Sequence, residues 1–449
     1  MTTTASNGKL WASVVLLVGA GIPGVTIRLA GITIDPAPEV LIFGVGIVGG
    51  AFLLSWAAEV AQMDISASLA IAVLAFIAVL PEYMIEATLA WNAGESYSQL
   101  GAAGSSGVTK EMSLVAANVT GSNRLLVGLG WSAVIILFWL RRRKGFDMRG
   151  LLTLEMPMLL VATLLTLIVA FTKSIPIWLA VVCIGAYIFY LWRSSTQEAK
   201  EPELIGAGAM IAGFRPLYRR MWVLALFIYS AAVIVIAAEP FVVGLQATGE
   251  QLGVSEFLLI QWIAPLASES PEIIVAVLFA LRANPDGGLT TIISSQVNQL
   301  TLLVGSIVVV FSISAGAPLT FPLDYFEPSN FFVRLASPFG LQASEFLFTA
   351  AMAAFAMLLA STRIVKLWHG LTLFAIFVAY LVALWALNFF GGIDTENVPL
   401  RMWSSVIVFT LAALLVALNW RRVVYIFKGV PHPATTGIAA NAKMPSLGN

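Results

Sequence analysis

The sequence predicts an all-α, polytopic membrane protein of about twelve transmembrane helices that contains an inverted repeat. Three observations predict it. Of 449 residues, 59% are hydrophobic and 11% charged, and mean hydropathy is +0.92, whereas soluble domains carry about 25% charged residues. Twelve apolar segments follow one another, each close to the ~20 residues a helix needs to cross the hydrocarbon. A Pro-Glu pair inside an apolar span occurs twice, at Pro81–Glu82 and at Pro271–Glu272.

In chain order the segments lie near residues 10–32, 40–62, 66–92, 112–140, 151–171, 175–193, 219–247, 255–281, 289–313, 341–361, 367–389 and 401–420. The first lacks a small-residue cleavage site and reads as an uncleaved span. Basic residues orient the rest. Those at 141–149, Arg193, Lys200, Arg215, Arg219, Arg220, Arg363, Lys366, Arg421, Arg422 and Lys428 all fall on one side, and Asp35, Glu39, Glu95, Asp394 and Glu396 on the other. Both termini are therefore expected in the cytoplasm, with the chain in the cell (inner) membrane. The implied organisation is an N-terminal tail and extra helix (1–39), a first half (40–193), a cytoplasmic linker (194–218), a second half (219–390), an extra C-terminal helix (391–428) and a disordered tail (429–449). GVGIVGG, at 44–50, is expected to serve close helix packing.

The two Pro-Glu pairs lie on the third and eighth spans, five crossings apart, so the two copies run through the membrane in opposite directions. Inverted repeats with interrupted helices are the signature of secondary transporters whose site lies at the midplane. A charge at the bilayer centre costs roughly 2.5–3.5 kcal/mol, and placing one twice at matching positions implies a bound cation. Proline removes a backbone donor and frees the carbonyl four residues earlier, here Ile77 and Ala267. Carboxylates, freed carbonyls and hydroxyls form an oxygen cage of the kind that Ca²⁺ and Na⁺ prefer. The second copy adds Ser268, Glu269 and Ser270; the first adds Glu86, one turn beyond Glu82 on the same helix face. A polar interruption follows each copy: Asn118, Thr120, Ser122 and Asn123 after the first, and Ser294, Ser295, Gln296, Asn298 and Gln299 after the second. Ser294 and Asn298 are one turn apart and are expected to face one site.

Other classes find little support. Net charge is zero, which points to no nucleic acid. Cys183 is alone, and His369 and His432 are too few for a histidine-rich metal site. No nucleophile–base set falls in the spans, so no enzyme and no cofactor are expected, and the implied partners are the lipid bilayer and the transported ions, with no protein partner implied. The blander account of Glu82 and Glu272 is ion pairing with Arg124, the nearest intramembrane arginine. Arg124 is instead expected to cap or snorkel away. Glu155 and Glu345 are expected at the interface, and Glu59 and Glu239 as vestibule or helix-end charges.

ASESPE (267–272) and LPE (80–82), with GSN (121–123) and SSQVNQ (294–299) on the following helices, resemble the two alpha-repeat motifs of the sodium/calcium exchanger family, within the cation/calcium antiporter superfamily. Residues 239–259 resemble the segment before the family's second repeat. The resemblance implies a core of two inverted five-helix repeats, with an extra flanking helix at each end, and alternating access, with Ca²⁺ and Na⁺ competing for one cluster. It makes Glu82 and Glu272 the central ligands and Asn123 and Asn298 neutral ligands, with Ser122, Ser268 and Ser294 supplying hydroxyls. Aligned through GSN, the family's later ligand position falls on Leu126; aligned through LLVG, it falls on Asn123. Two departures matter. Family Thr and Ser positions are Ala78 and Val79 in the first repeat, and a family Ser is Glu269 in the second. Hydroxyls are lost on one side and a carboxylate is gained on the other. Close carboxylates do not all stay ionised without a cation among them, so Glu269 and Glu86 stand as ligands or as proton carriers. A proton-coupled exchanger of the same fold, or a transport-inactive scaffold, is the alternative to Na⁺/Ca²⁺ exchange.

Overall fold

The computed structural model describes residues 7–61, 63–64, 80–100, 106–148, 154–196, 204, 206–254, 256–323, 340–360, 364–390, 404 and 406–411. Ten helical stretches among them are long and apolar enough to cross a membrane. They match ten of the twelve expected spans. Most of the twelfth span, the 429–449 tail and the 66–79 portion of the third lie outside the described residues.

After the flanking helix α1 (Asn7–Ala30), the first half runs α2 (Pro36–Ala61), α3 (Leu80–Leu100), α4 (Ser106–Leu125), a π-helical turn (Leu126–Trp131), α5 (Ser132–Arg142), α6 (Glu155–Thr172) and α7 (Ile177–Ser195). A short helix, α8 (Ala207–Ala212), stands in the linker; Ala207 and Ile211 are buried beside Trp56, so the linker docks on the bundle as well as joining its halves. The second half runs α9 (Pro216–Leu252), α10 (Glu256–Leu281), α11 (Pro285–Asn298), a second π turn (Gln299–Leu303), α12 (Val304–Ser314), α13 (Leu341–Ala360) and α14 (Leu367–Phe390). Local signals set several ends. Pro216 opens α9, where a missing N–H costs nothing, and Gly253 closes it at φ +62. Asn284 caps α11, accepting from Gly287 N at 2.9 Å, with Pro285 in the first turn.

Four two-residue strands establish the symmetry. β1 (Phe146–Asp147) and β2 (Ser174–Ile175) stand at opposite ends of α6. β1 pairs antiparallel with β4 (Ile364–Val365), between α13 and α14; β2 pairs antiparallel with β3 (Phe321–Pro322), after α12. By position in its half, β1 corresponds to β3 and β2 to β4. Corresponding strands therefore lie at opposite ends of the bundle, as an inverted repeat requires. The π turns also fall at matching places, after α4 and after α11.

Helices α2 and α9, the first of each half, pack along a glycine-lined face. A Cβ on Gly44 would lie 2.9 Å from Phe241, and one on Gly50 3.1 Å from Ile234. The 44–50 run thus serves helix packing, as expected. Two apolar cores fill the remainder, one around Trp131, Trp262 and Phe348 and the other around Phe43, Phe241 and Phe311. The polar site lies between them.

Candidate functional site

Helix α10 carries two prolines, and both leave marks. Pro271 leaves the Ala267 carbonyl without its helical donor, and Ser270 Oγ donates to it at 3.3 Å. Pro265 leaves the Gln261 carbonyl free in the same way. Gly121 of α4 sits against that carbonyl: a Cβ there would fall 1.9 Å from the Gln261 oxygen. The glycine of GSN lets α4 close onto the proline-loosened stretch of α10.

This crossing gathers the acidic residues. Glu82, at the start of α3, is 4% exposed, and Glu269, on α10, is 1% exposed. Their carboxyl groups lie within hydrogen-bonding reach of each other, one from each repeat. Gln299, in the second π turn, spans both: its amide donates to Glu82 Oε1 and, at 2.6 Å, to Glu269 Oε1. Ser295 Oγ donates to Glu269 Oε2 at 3.2 Å. Glu272 is half-buried, has a buried Oε2 without a hydrogen-bond partner, and lies within electrostatic reach of Glu82 and Glu269. Glu86 is fully buried one turn beyond Glu82; Asn118 Nδ2 donates to its Oε2 at 2.5 Å, while its Oε1 has no partner.

The remaining expected ligands divide. Ser122 and Asn123 are buried on α4, each with a side-chain oxygen that has no partner, while Asn123 Nδ2 donates to Val119 O at 3.3 Å. Ser268 donates to the Ala264 carbonyl at 3.3 Å within its own helix. Ser294 accepts from Tyr190 OH at 3.1 Å, and Asn298 Oδ1 accepts from Tyr83 OH at 3.4 Å. Ser294 and Asn298 thus meet tyrosines, while their neighbours Ser295 and Gln299 meet the carboxylates. One helical position turns a side chain by about 100°, enough to separate the two pairs. Counted from the start of each π turn, Ser295 corresponds to Ser122 and Gln299 to Leu126, a correspondence that nothing in the residues themselves marks. The direct partner of Glu82 is Glu269 rather than Glu272, although Glu272 is the residue that repeats the Pro-Glu pattern.

Two expectations fail. Arg124 does not snorkel and Glu345 is not interfacial: both are 0% exposed and paired with each other. The apolar wall around them explains it, since neither charge is tolerable there without its partner. Arg124 is therefore occupied by Glu345, and the ion-pair account of Glu82 and Glu272 loses its proposed cation. Glu239 is not at a helix end: it lies within α9 as an exposed charge, paired with Arg28 at 2.5 Å.

Among curated proteins, none matches the chain. Among solved structures, the H⁺/Ca²⁺ exchanger CAX is 31% identical, with 94% of this chain and 97% of that chain covered and a TM-score of 0.79. The Ca²⁺/H⁺ antiporter protein YfkE is 16% identical, with 82% and 97% covered and a TM-score of 0.56, a likeness of fold. The family model described as sodium/calcium exchanger protein matches residues 40–196 and 222–386, which takes in both Pro-Glu motifs, both π turns and every carboxylate gathered at the crossing. With the inverted halves and the buried acids already in place, that match completes the assignment: the chain belongs to the sodium/calcium exchanger protein family.

Proposed function

We propose that this protein exchanges Ca²⁺ for protons across the membrane by alternating access, at a site formed by Glu82 and Glu269 with Glu272 beside them. The observation that carries this is the meeting of two buried carboxyl groups, one from each repeat, bridged by the Gln299 amide. Two bare carboxylates at that range repel, so the pair holds either protons or a cation. One Ca²⁺ replaces two protons there without changing the charge of the site, and that competition makes the exchange obligatory. Ca²⁺ takes six to eight oxygens. The partnerless oxygens of Glu272, Ser122 and Asn123, and the hydroxyls of Ser268 and Ser295, are the donors nearest in kind. The similarity to an H⁺/Ca²⁺ exchanger supports proton coupling, as do Ala78 and Val79 in place of the family's hydroxyls. The step is transport, with no covalent bond made or broken. The basic residues at 141–149 and around the linker support a plasma-membrane orientation with cytoplasmic termini.

Sodium coupling is the second reading. It is favoured by the neutral buried oxygens of Ser122 and Asn123, which suit a monovalent ion. The test is ⁴⁵Ca²⁺ uptake into proteoliposomes under an imposed pH gradient and, separately, an imposed Na⁺ gradient, with Glu82→Gln as control. Uptake driven by the pH gradient and lost in the variant is the expected result. Uptake driven by Na⁺ alone would replace the proton reading with the sodium one. No uptake under either gradient would leave the chain as another transporter or an inactive scaffold.

A further inference from the structure

Arg124 is the one fully buried lysine or arginine among the described residues, and it directly follows Ser122 and Asn123. Its guanidinium pairs with Glu345 of α13 and lies 5.5 Å from the ring centre of Trp262, 5.6 Å from that of Phe348 and 5.3 Å from that of Tyr380. Nη2 donates to Thr120 Oγ1 at 3.2 Å, one turn back on α4. Glu345 also accepts from Gln261 Nε2 at 3.0 Å and from Tyr380 OH at 3.5 Å, and Thr349 of α13 reaches the Thr120 carbonyl at 3.5 Å. Gln261 is the residue whose carbonyl Gly121 abuts. The network therefore grips the turn of α4 just before Ser122 and Asn123 and fastens it to α10, α13 and α14.

The second half of the inverted repeat has no arginine at the matching place. Counted from the starts of α7 and α14, Glu155 corresponds to Glu345 and Tyr190 to Tyr380, so the glutamate and tyrosine recur in both halves. Counted from the π turns, Arg124 corresponds to Val297, which is buried. A charge stands in one half where the other half uses an apolar side chain. A buried ion pair is weak as a source of stability, because desolvation offsets most of the attraction, and its better-attested use is to fix one arrangement.

We infer that Arg124 and Glu345 are positioning residues for the cation site: the pair holds the Ser122–Asn123 turn of α4 at its working distance from the carboxylates on α3 and α10. This rests on the reading of those carboxylates as the Ca²⁺ site, and the test separates the two. The variant is Arg124→Met with Glu345→Gln. Both charges go together, the glutamine keeps an oxygen for Gln261 and Tyr380, and the methionine sulfur suits the aromatic walls. Arg124→Lys is the conservative companion, keeping the charge but not the fork.

Two measurements are made on the full-length protein. In proteoliposomes, the KM for Ca²⁺ of the double variant is expected to rise ~10–100-fold, the range for residues that orient a metal ligand from behind, with maximal rate and melting temperature close to wild type and Arg124→Lys in between. A folded double variant with wild-type KM overturns the inference, as does a fall in rate at unchanged KM. The second measurement needs no ion: amide exchange over residues 118–126 is expected to quicken in the double variant, with α2 and α9 unaffected. Unchanged exchange there overturns the inference even if wild-type protein fails to move Ca²⁺, an outcome that by itself would sink only the calcium reading.

Discussion

At the scale of single residues, the site is a problem of charge compensation. Glu82 and Glu269 share one buried place and one amide donor, Gln299. Replacing either acid by glutamine removes half of the pair's negative charge toward a divalent ion. Breaking a buried charge arrangement by removing one partner costs about 3–5 kcal/mol, and each 1.4 kcal/mol is about tenfold in affinity. Glu82→Gln and Glu269→Gln are each expected to lower Ca²⁺ affinity by about two orders of magnitude or more, read as the Ca²⁺-induced rise in melting temperature of purified protein. A Glu269→Gln variant with an unaltered rise would show that Glu269 is not at the ion. Gln299→Leu removes the bridge and leaves two acids facing each other, so it is expected to shift the pH profile of uptake as well as its rate; an unmoved profile would count against the shared-proton picture. Much of this site was legible in the chain. Glu82, Glu269 and Ser122 stand out as polar residues in apolar spans. Gln299 and Ser295 read as polar too, but SSQVNQ offers two polar pairs one turn apart, Ser294 with Asn298 and Ser295 with Gln299, and the residues alone do not say which pair is turned toward the acids.

At the scale of helices, two contacts decide how the elements meet. Gly121 lets α4 approach the carbonyl that Pro265 frees on α10. Because the obstructing atom is backbone, Gly121→Ala cannot be absorbed by a rotamer change, and overpacking of this kind costs about 1–3 kcal/mol. The variant is expected to melt lower and to lose Ca²⁺ affinity together, whereas Gly19→Ala, on α1 with open space around its Cβ, is expected to change neither. The second contact is polar. Asp64, just beyond α2, accepts from Arg219 at 2.7 and 2.8 Å and from Arg220 at 3.1 Å, clasping α2 to the start of α9. The hydrogen bonds from Arg219 hold its carboxyl down at about 2, below the ordinary ~3.9. A depressed carboxylate stabilises the fold fully above its unfolded value and loses that contribution as pH falls through its folded value. Melting temperature is therefore expected to drop between about pH 4 and pH 2 more steeply in wild type than in Asp64→Asn, as a melt series in detergent would show; parallel curves would mean the clasp carries no stability. Helix positions were readable from hydropathy because each span must satisfy its backbone internally. The clasp was not, since Asp64 and Arg219 are 155 residues apart, and neither was the Arg124–Glu345 pair, whose partners meet only after α4 and α13 have packed.

At the scale of the whole molecule, inversion brings carboxylates from two oppositely running halves to one place. The parity of the two Pro-Glu motifs predicts that inversion, and the exchanged strand pairs β1–β4 and β2–β3 display it. What parity leaves open is the ion that returns, and net charge movement answers it. If one Ca²⁺ exchanges for two protons at the Glu82–Glu269 pair, the loaded and protonated sites carry the same charge and the cycle moves none across the membrane. A cycle that moves one net charge gains or loses about 2.3 kcal/mol per 100 mV, which is roughly a fortyfold change in the Ca²⁺ gradient it can sustain. With a fixed pH gradient, clamping the proteoliposome potential to either sign by a potassium gradient and its ionophore is therefore expected to leave steady-state Ca²⁺ accumulation unchanged. Accumulation that follows the potential would mean that a different number of monovalent ions is exchanged, and that an acid beyond the pair, Glu86 or Glu272, titrates within the cycle. Repeating the clamp with Glu86→Gln and with Glu272→Gln would then identify it, as the variant in which the dependence on potential disappears.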